Sequence, residues 1–246
     1  MHCLIVANGP PPAPDQLRFV ADKADLIIAA DGGVAHALAA GLYPDVVIGD
    51  LDSVSPELLD ELRAAEVRIL KFPIHKNETD LELALAEAVK RGASEITIIA
   101  SVGARLDQTL GNVFLMTLPL YQAIPMRTLT ATEEVFVARE RAVISGEVGD
   151  IVSLIPLTPR VTGVYTRGLE YPLEDGVLHF GPTLGISNQL REAQAEVTLQ
   201  EGLLLVVHEW QHPPHVRPAP TAKPPESSPE LAAPDGQTTA PKEEGA

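Results

Sequence analysis

The sequence predicts an α/β protein: an amino-terminal domain on a mostly parallel sheet, followed by an all-β sandwich domain. Two rhythms along the chain predict this. Through about residue 130, short branched apolar runs alternate with helical patterns, as in a sheet covered by helices. From about residue 134, short β-branched segments separated by Gly and Pro take over, as in a sandwich or barrel. Size is the third observation, because 246 residues, 45% of them hydrophobic, suffice for one or two cores.

Strands are expected at residues 4–7, 26–30, 46–48 and 96–100, whose length and branching suit buried parallel strands. A helix is expected from Ser55-Pro56, with Ser55 as N-cap and Pro56 at the first helical position. A second begins at Thr79, where Thr79-x-x-Glu82 forms a capping box. Leu81, Leu85, Ala88 and Val89 recur there at helical spacing and Gly92 is the stop. In the second half, strands are expected at 134–138, 150–154, 161–165, 177–180, 195–199 and 203–209. Beyond residue 210 the chain is rich in Pro, Ser, Thr, Gly and Glu, so the expected division is 1–133, 134–210 and a disordered tail over 211–246.

Composition narrows the function. With 18 basic and 34 acidic side chains the net charge is -16, so a polyanionic ligand must be met by clustered cations or a metal ion. Nucleic-acid binding is disfavoured, and no run approaches the ~18 apolar residues of a membrane helix. Cys3 stands alone and cannot close an intramolecular disulfide, and no signal-peptide pattern precedes Asn8-Gly9-Pro10, so a cytoplasmic protein is expected. One Cys and seven scattered His show no zinc-binding spacing and no nucleophile–base arrangement.

Acids gather where the strands end. Asp50 and Asp52, in Gly49-Asp50-Leu51-Asp52-Ser53, follow the 46–48 strand; in an extended segment both carboxylates project to one side, where a cation such as Mg2+ would join them. A turn residue followed by a solvated acid reads the same way. Asp31, in Asp31-Gly32-Gly33, and Asp107, after Gly103-Ala104-Arg105-Leu106, occupy equivalent junctions, where helix N-H groups can receive phosphate or the Asp can be a simple N-cap. Asp80 opens the helix after Thr79, with Lys76 just upstream, a pairing suited to a metal-bound polyphosphate. Neither glycine cluster is a Walker A loop or a dinucleotide fingerprint. In the β half, Gly185-Ile186-Ser187-Asn188 carries neutral hydrogen-bonding groups, or is an ordinary hairpin connection.

Taken together and in order, these pieces resemble the thiamine pyrophosphokinase family: Asp31-Gly32-Gly33, Gly41-Leu42-Tyr43-Pro44-Asp45 leading into Gly49 to Ser53, Lys76-x-x-Thr79-Asp80, Gly103-x-Arg105-Leu106-Asp107-Gln108 with Asn112, and Gly185 to Asn188. The resemblance covers roughly residues 1–210. It implies a homodimer that binds thiamine between subunits and transfers pyrophosphate from ATP, yielding AMP and thiamine diphosphate. By the same resemblance Asp50, Asp52 and Asp80 would hold Mg2+. Asp31, Gly32, Gly33, Lys76, Thr79, Arg105, Asp107, Gln108 and Asn112 would shape the ATP site, and Ser187 and Asn188 would face thiamine. Asp107 or a Mg2+-binding acid would accept the hydroxyl proton. Gln108 stands where many bacterial members carry His. A pyrophosphokinase for another heterocyclic alcohol, a non-catalytic thiamine or nucleotide sensor, which would be expected to lack one of the metal-binding acids although none is missing here, and an interaction module using the Pro-rich tail are the rival readings.

Overall fold

The computed structural model describes residues 1–52, 54–75, 77–103 and 105–216. The first half runs β1 (His2–Val6), α1 (Pro14–Ala21), β2 (Leu26–Ala30), α2 (Gly33–Ala39), β3 (Val46–Gly49), α3 (Pro56–Ala64), β4 (Arg68–Lys71), α4 (Asp80–Lys90), β5 (Glu95–Ile99), α5 (Leu106–Leu115) and β6 (Met126–Leu129). The N-cap bonds expected at Ser55 and Thr79 form. The Ser55 side chain accepts the Leu58 N-H at 3.2 Å, and that of Thr79 accepts the Glu82 N-H at 3.2 Å.

Strands β4-β3-β2-β1-β5-β6 lie side by side and every pair is parallel. Their side chains are apolar on both faces because helices cover both. Leu81, Ala84, Leu85 and Ala88 of α4 pack with Cys3, Ile5, Ile28 and Ile48 on one face. On the other face Leu17 and Val20 of α1 pack with Leu4 and Val6, and Val34 and Leu62 of α2 and α3 with Ala29 and Val47. The chain fills β1 to β4 outward, then returns through α4 to place β5 on the far side of β1. That reversal makes the crevice beside β1 the topological switch point, where open α/β sheets bind ligands.

The second half consists of β7 (Glu133–Ala138), β8 (Arg141–Ser145), β9 (Ile151–Pro156), β10 (Arg160–Arg167), β11 (Gly176–His179), β12 (Asn188–Gln189), β13 (Gln194–Thr198) and β14 (Leu204–Glu209). It is a sandwich, but one layer is not separate. β7 pairs antiparallel with β6, and β14, β9 and β12 extend the same sheet to ten strands. The other layer, β11-β10-β13-β8, closes on it through Ile144, Val161, Val164, Leu178 and Val197 against Val152, Leu154, Leu204 and Val206. The expected boundary at 133/134 therefore falls inside a continuous hydrogen-bonded sheet.

A buried polar network ties this layer to its ends. The His208 ring, fully buried, lies 3.0 Å from Glu134 through Nδ1 and 3.1 Å from Asp150 through Nε2. Asp150 also accepts the N-H groups of Glu147 and Gln211 at 2.8 and 2.9 Å. Burial alone would raise its pKa, but these two backbone donors and the imidazole outweigh it and hold the carboxyl below its ordinary range.

The expected start of the tail at residue 211 is corrected by the same contacts. Gln211 is bound by Asp150, His212 pairs with Glu147 at 2.9 Å, and a 3-10 turn forms at Pro214–Val216. Packed structure runs to Val216, because Asp150 and Glu147 supply partners that composition does not reveal. The rest of the expected tail, 217–246, lies outside the described residues. Among the described residues no helix is long and apolar enough to cross a membrane.

Candidate active site

The carboxyl ends of β1, β2 and β5 and the amino ends of α4 and α5 surround a cavity of about 430 Å3. It is lined by Asn8 and Gly9 after β1, Asp31 after β2, Ser101 and Gly103 after β5, Thr79 and Asp80 at α4, and Arg105, Gln108 and Asn112 at α5. This is the switch-point crevice, with a volume in the range of small-ligand sites. Helix α2 starts hard against β1: a Cβ on Gly33 would stand 2.1 Å from the Val6 carbonyl oxygen, so only glycine lets α2 begin there.

Three acids converge at one rim. Carboxylate oxygens of Asp31, Asp50 and Asp52 all lie within 4.8 Å of one another. Sequence reasoning expected residues 50–52 to be extended, but Leu51 adopts φ +60°. The chain turns there, and the Asp52 N-H donates to Asp50 Oδ1 at 3.1 Å. Left-handed backbone at a leucine costs about 1–3 kcal/mol, and burying the Leu51 side chain among Val47, Val54 and Leu62 offsets it. Two carboxylates thus come together around one buried anchor.

The electrostatic result is a strongly anionic corner. The Asp52 carboxyl is pushed above its ordinary range, first by Asp50, then by partial desolvation, Asp31, its hydrogen bond with Asp50, and Asp80. Three hard oxygen donors, two from the turn after β3 and one from the end of β2, suit a divalent cation of the Mg2+ type, which would relieve that repulsion. The grouping differs from the expected metal set. Asp31, assigned from sequence to the nucleotide site, is in the close triad, whereas Asp80 contributes charge to Asp52 from the first position of α4.

At the opposite rim Arg105 grips Asp107 with Nε and an Nη at 3.2 and 2.6 Å. The Arg105 hydrogen bond, with lesser help from the Gln108 N-H, lowers the Asp107 pKa. The N-cap of α5 is Arg105 and that of α2 is Gly32, so neither Asp107 nor Asp31 caps a helix. Asn112 Nδ2 donates to the Ser101 carbonyl at 2.7 Å, fixing α5 against the loop after β5. Lys76 lies outside the described residues.

The expected thiamine-facing pair sits elsewhere. Ser187 is exposed at φ +60° with its N-H on Ser153 Oγ. Asn188 is buried and its amide binds both the N-H and the carbonyl of Tyr171, at 3.0 and 2.7 Å, so its side chain braces the loop. Six strands separate β12 from β2, a path of about 34 Å at ~4.8 Å per strand. One chain does not bring the two groups together.

Sequence reasoning missed Asn8, Gly9 and Ser101. The available signal was position: each follows the strand beside the switch point. Cys3 is excluded as a nucleophile, since burial in β1 pushes its thiol up to about 12.

Both halves match known domains. Residues 17–127 match the model of the thiamin pyrophosphokinase catalytic domain, and residues 140–204 that of the thiamin pyrophosphokinase vitamin B1 binding domain. The chain is 28% identical over 205 residues to thiamine pyrophosphokinase of Bacillus subtilis, covering 82% of this chain and 96% of that one. The crystal structure of the Bacillus subtilis protein superimposes with TM-score 0.77 at 26% identity, over 86% of this chain and all of the other. That of Geobacillus thermodenitrificans thiamin pyrophosphokinase gives 0.74 at 29%, over 85% and 97%. With an α/β half carrying the acidic crevice and a β half carrying the second domain, the chain belongs to the thiamine pyrophosphokinase family.

Proposed function

We propose that the protein transfers the pyrophosphoryl group of ATP to the hydroxyl of thiamine, releasing AMP and thiamine diphosphate, with Mg2+ as cofactor. The observation that carries this reading is the Asp31, Asp50, Asp52 triad on the rim of a switch-point cavity, in a chain whose two halves match the family's two domains. When bound, Mg2+ supplies charge neutralisation and a template for the polyphosphate. Asp50, Asp52 and Asp31 would hold it, with Asp80 beside them. Gly32, Gly33, Thr79, Gln108 and Asn112 shape the nucleotide pocket; the phosphate role of Lys76 rests on sequence alone.

Attack on the β-phosphorus is governed by positioning and charge, so a strong base is not required. Arg105 has a partner to exchange: the triphosphate draws the guanidinium from Asp107, and the freed carboxylate rises toward its ordinary basicity and takes the hydroxyl proton. ATP labelled at the β-phosphate tests the transfer. Label in thiamine diphosphate together with unlabelled AMP supports it, and ADP as the product contradicts it.

The active unit in this reading is a homodimer in the cytoplasm, its site shared between copies. Two observations support sharing. The β12 loop is about 34 Å along the sheet from Asp31 of its own chain, and one strand further from Asp50 and Asp52. Helix α5 also carries an exposed apolar stripe, with Leu106, Leu110 and Phe114 exposed by 73%, 44% and 53% at successive four-residue steps. A second copy would cover that stripe while bringing Ser187 to the crevice.

A further inference from the structure

We propose that Asn8 is a positioning residue that holds Asp31 in the carboxylate triad, an inference that rests on the metal-assisted reading above. Asn8 follows β1 after Ala7, and its Nδ2 donates to Asp31 Oδ2 at 3.0 Å. Chemistry fixes this orientation of the amide, because its carbonyl oxygen would repel the carboxylate. Asp31 has reason to turn away, since its oxygens lie within 4.8 Å of those of Asp50 and Asp52. A neutral N-H donor holds one Asp31 oxygen without adding a positive charge that would compete with a cation.

The backbone under this contact is built for it. Asp31 stands at φ +46°, its N-H bound to the Ile48 carbonyl at 2.8 Å, so the residue leaves β2 aimed at the end of β3. The Asn8 amide then lies over Gly32. A Cβ there would stand 2.3 Å from Asn8 Oδ1, 2.6 Å from Cγ and 2.7 Å from Nδ2. Gly32 has ordinary helical backbone at φ -61°, so its lack of a side chain serves the neighbouring amide and not its own conformation. The loop bearing Asn8 is itself pinned: the Gly9 N-H donates to the Ala100 carbonyl at 2.7 Å, and His36 Nε2 lies 3.0 Å from the Gly9 carbonyl.

Two substitutions break the same contact from opposite sides. Asn8→Ala removes the donor, and Gly32→Ala evicts the amide by occupying its place. The measurement is Mn2+ binding to the nucleotide-free protein, read by electron paramagnetic resonance of the free ion, with thermal melting to confirm folding. Loss of a hydrogen bond that orients a metal ligand weakens metal binding by about 10–100-fold. Each single variant is expected to fall in that range, and the double variant to bind no more weakly than the weaker single. Wild-type affinity in Asn8→Ala, or losses that multiply in the double variant, would overturn the inference. Wild-type protein that binds Mn2+ no better than Asp52→Asn would instead overturn the metal reading beneath it.

Discussion

If the site is shared between two copies, two inactive variants will rescue one another. One variant, Asp52→Asn, disables the acidic corner; the other, Ser187→Phe, blocks the β12 loop. The geometry demands the rescue, because about 38 Å of sheet, eight strand steps at ~4.8 Å, separates β12 from β3, which Asp52 follows, within a chain, and every step is a hydrogen-bonded ladder. Mixing equal amounts and allowing exchange makes half of the dimers mixed. In each mixed dimer one site carries both lesions and the other carries none, so about a quarter of wild-type activity returns. The assay is thiamine diphosphate formation before and after exchange through mild denaturant. Recovery near a quarter supports a two-copy site. Two variants that are inactive alone and stay inactive after proven exchange would refute it.

Further outcomes follow from the same structure. Phe114→Glu, placed in the exposed apolar stripe of α5, is expected to convert the proposed dimer to a folded monomer by light scattering and to abolish activity. Asp150→Ala strands the donors of Glu147, Gln211 and His208 in the interior and should cost about 3–5 kcal/mol, read as a fall of about 1–2 M in the urea midpoint. Because the folded Asp150 pKa lies below its unfolded 3.8, the part of this stabilisation linked to ionisation is present above pH 3.8 and is lost as pH falls through the lower folded value, so the difference between the two proteins narrows there. Asp52 has the opposite sign. Its raised folded pKa makes the metal-free protein lose stability as pH rises through it, so Asp52→Asn is expected to raise the metal-free melting temperature at pH 7 and to cancel the stabilisation by Mg2+.

Local chemistry was legible where one short segment decides it. The caps at Ser55 and Thr79 and the parallel strands show directly as N-cap residues and branched apolar runs. The acids at strand ends were legible for the same reason, since the strand and its following junction are adjacent in sequence. What escaped depends on pairing across distance. The β half shares a sheet with the α/β half because β7 hydrogen-bonds to β6, which no periodicity encodes. The role of Asp31 depends on how close β2 and β3 end, and the turn at Leu51 on a buried side chain whose partners lie on other elements. Asn8 was invisible for a related reason: its partner is the end of the neighbouring strand, 23 residues away. The packed end at residues 211–216 depends on Asp150, 61 residues upstream of Gln211.

The most direct test of the central claim follows AMP and thiamine diphosphate formed from ATP and thiamine, with and without Mg2+, in wild type and Asp52→Asn. The account predicts equal amounts of both products, an absolute requirement for the cation, and a fall of orders of magnitude in Asp52→Asn. Thiamine left unconverted while ATP binds, or full activity in Asp52→Asn, would contradict it.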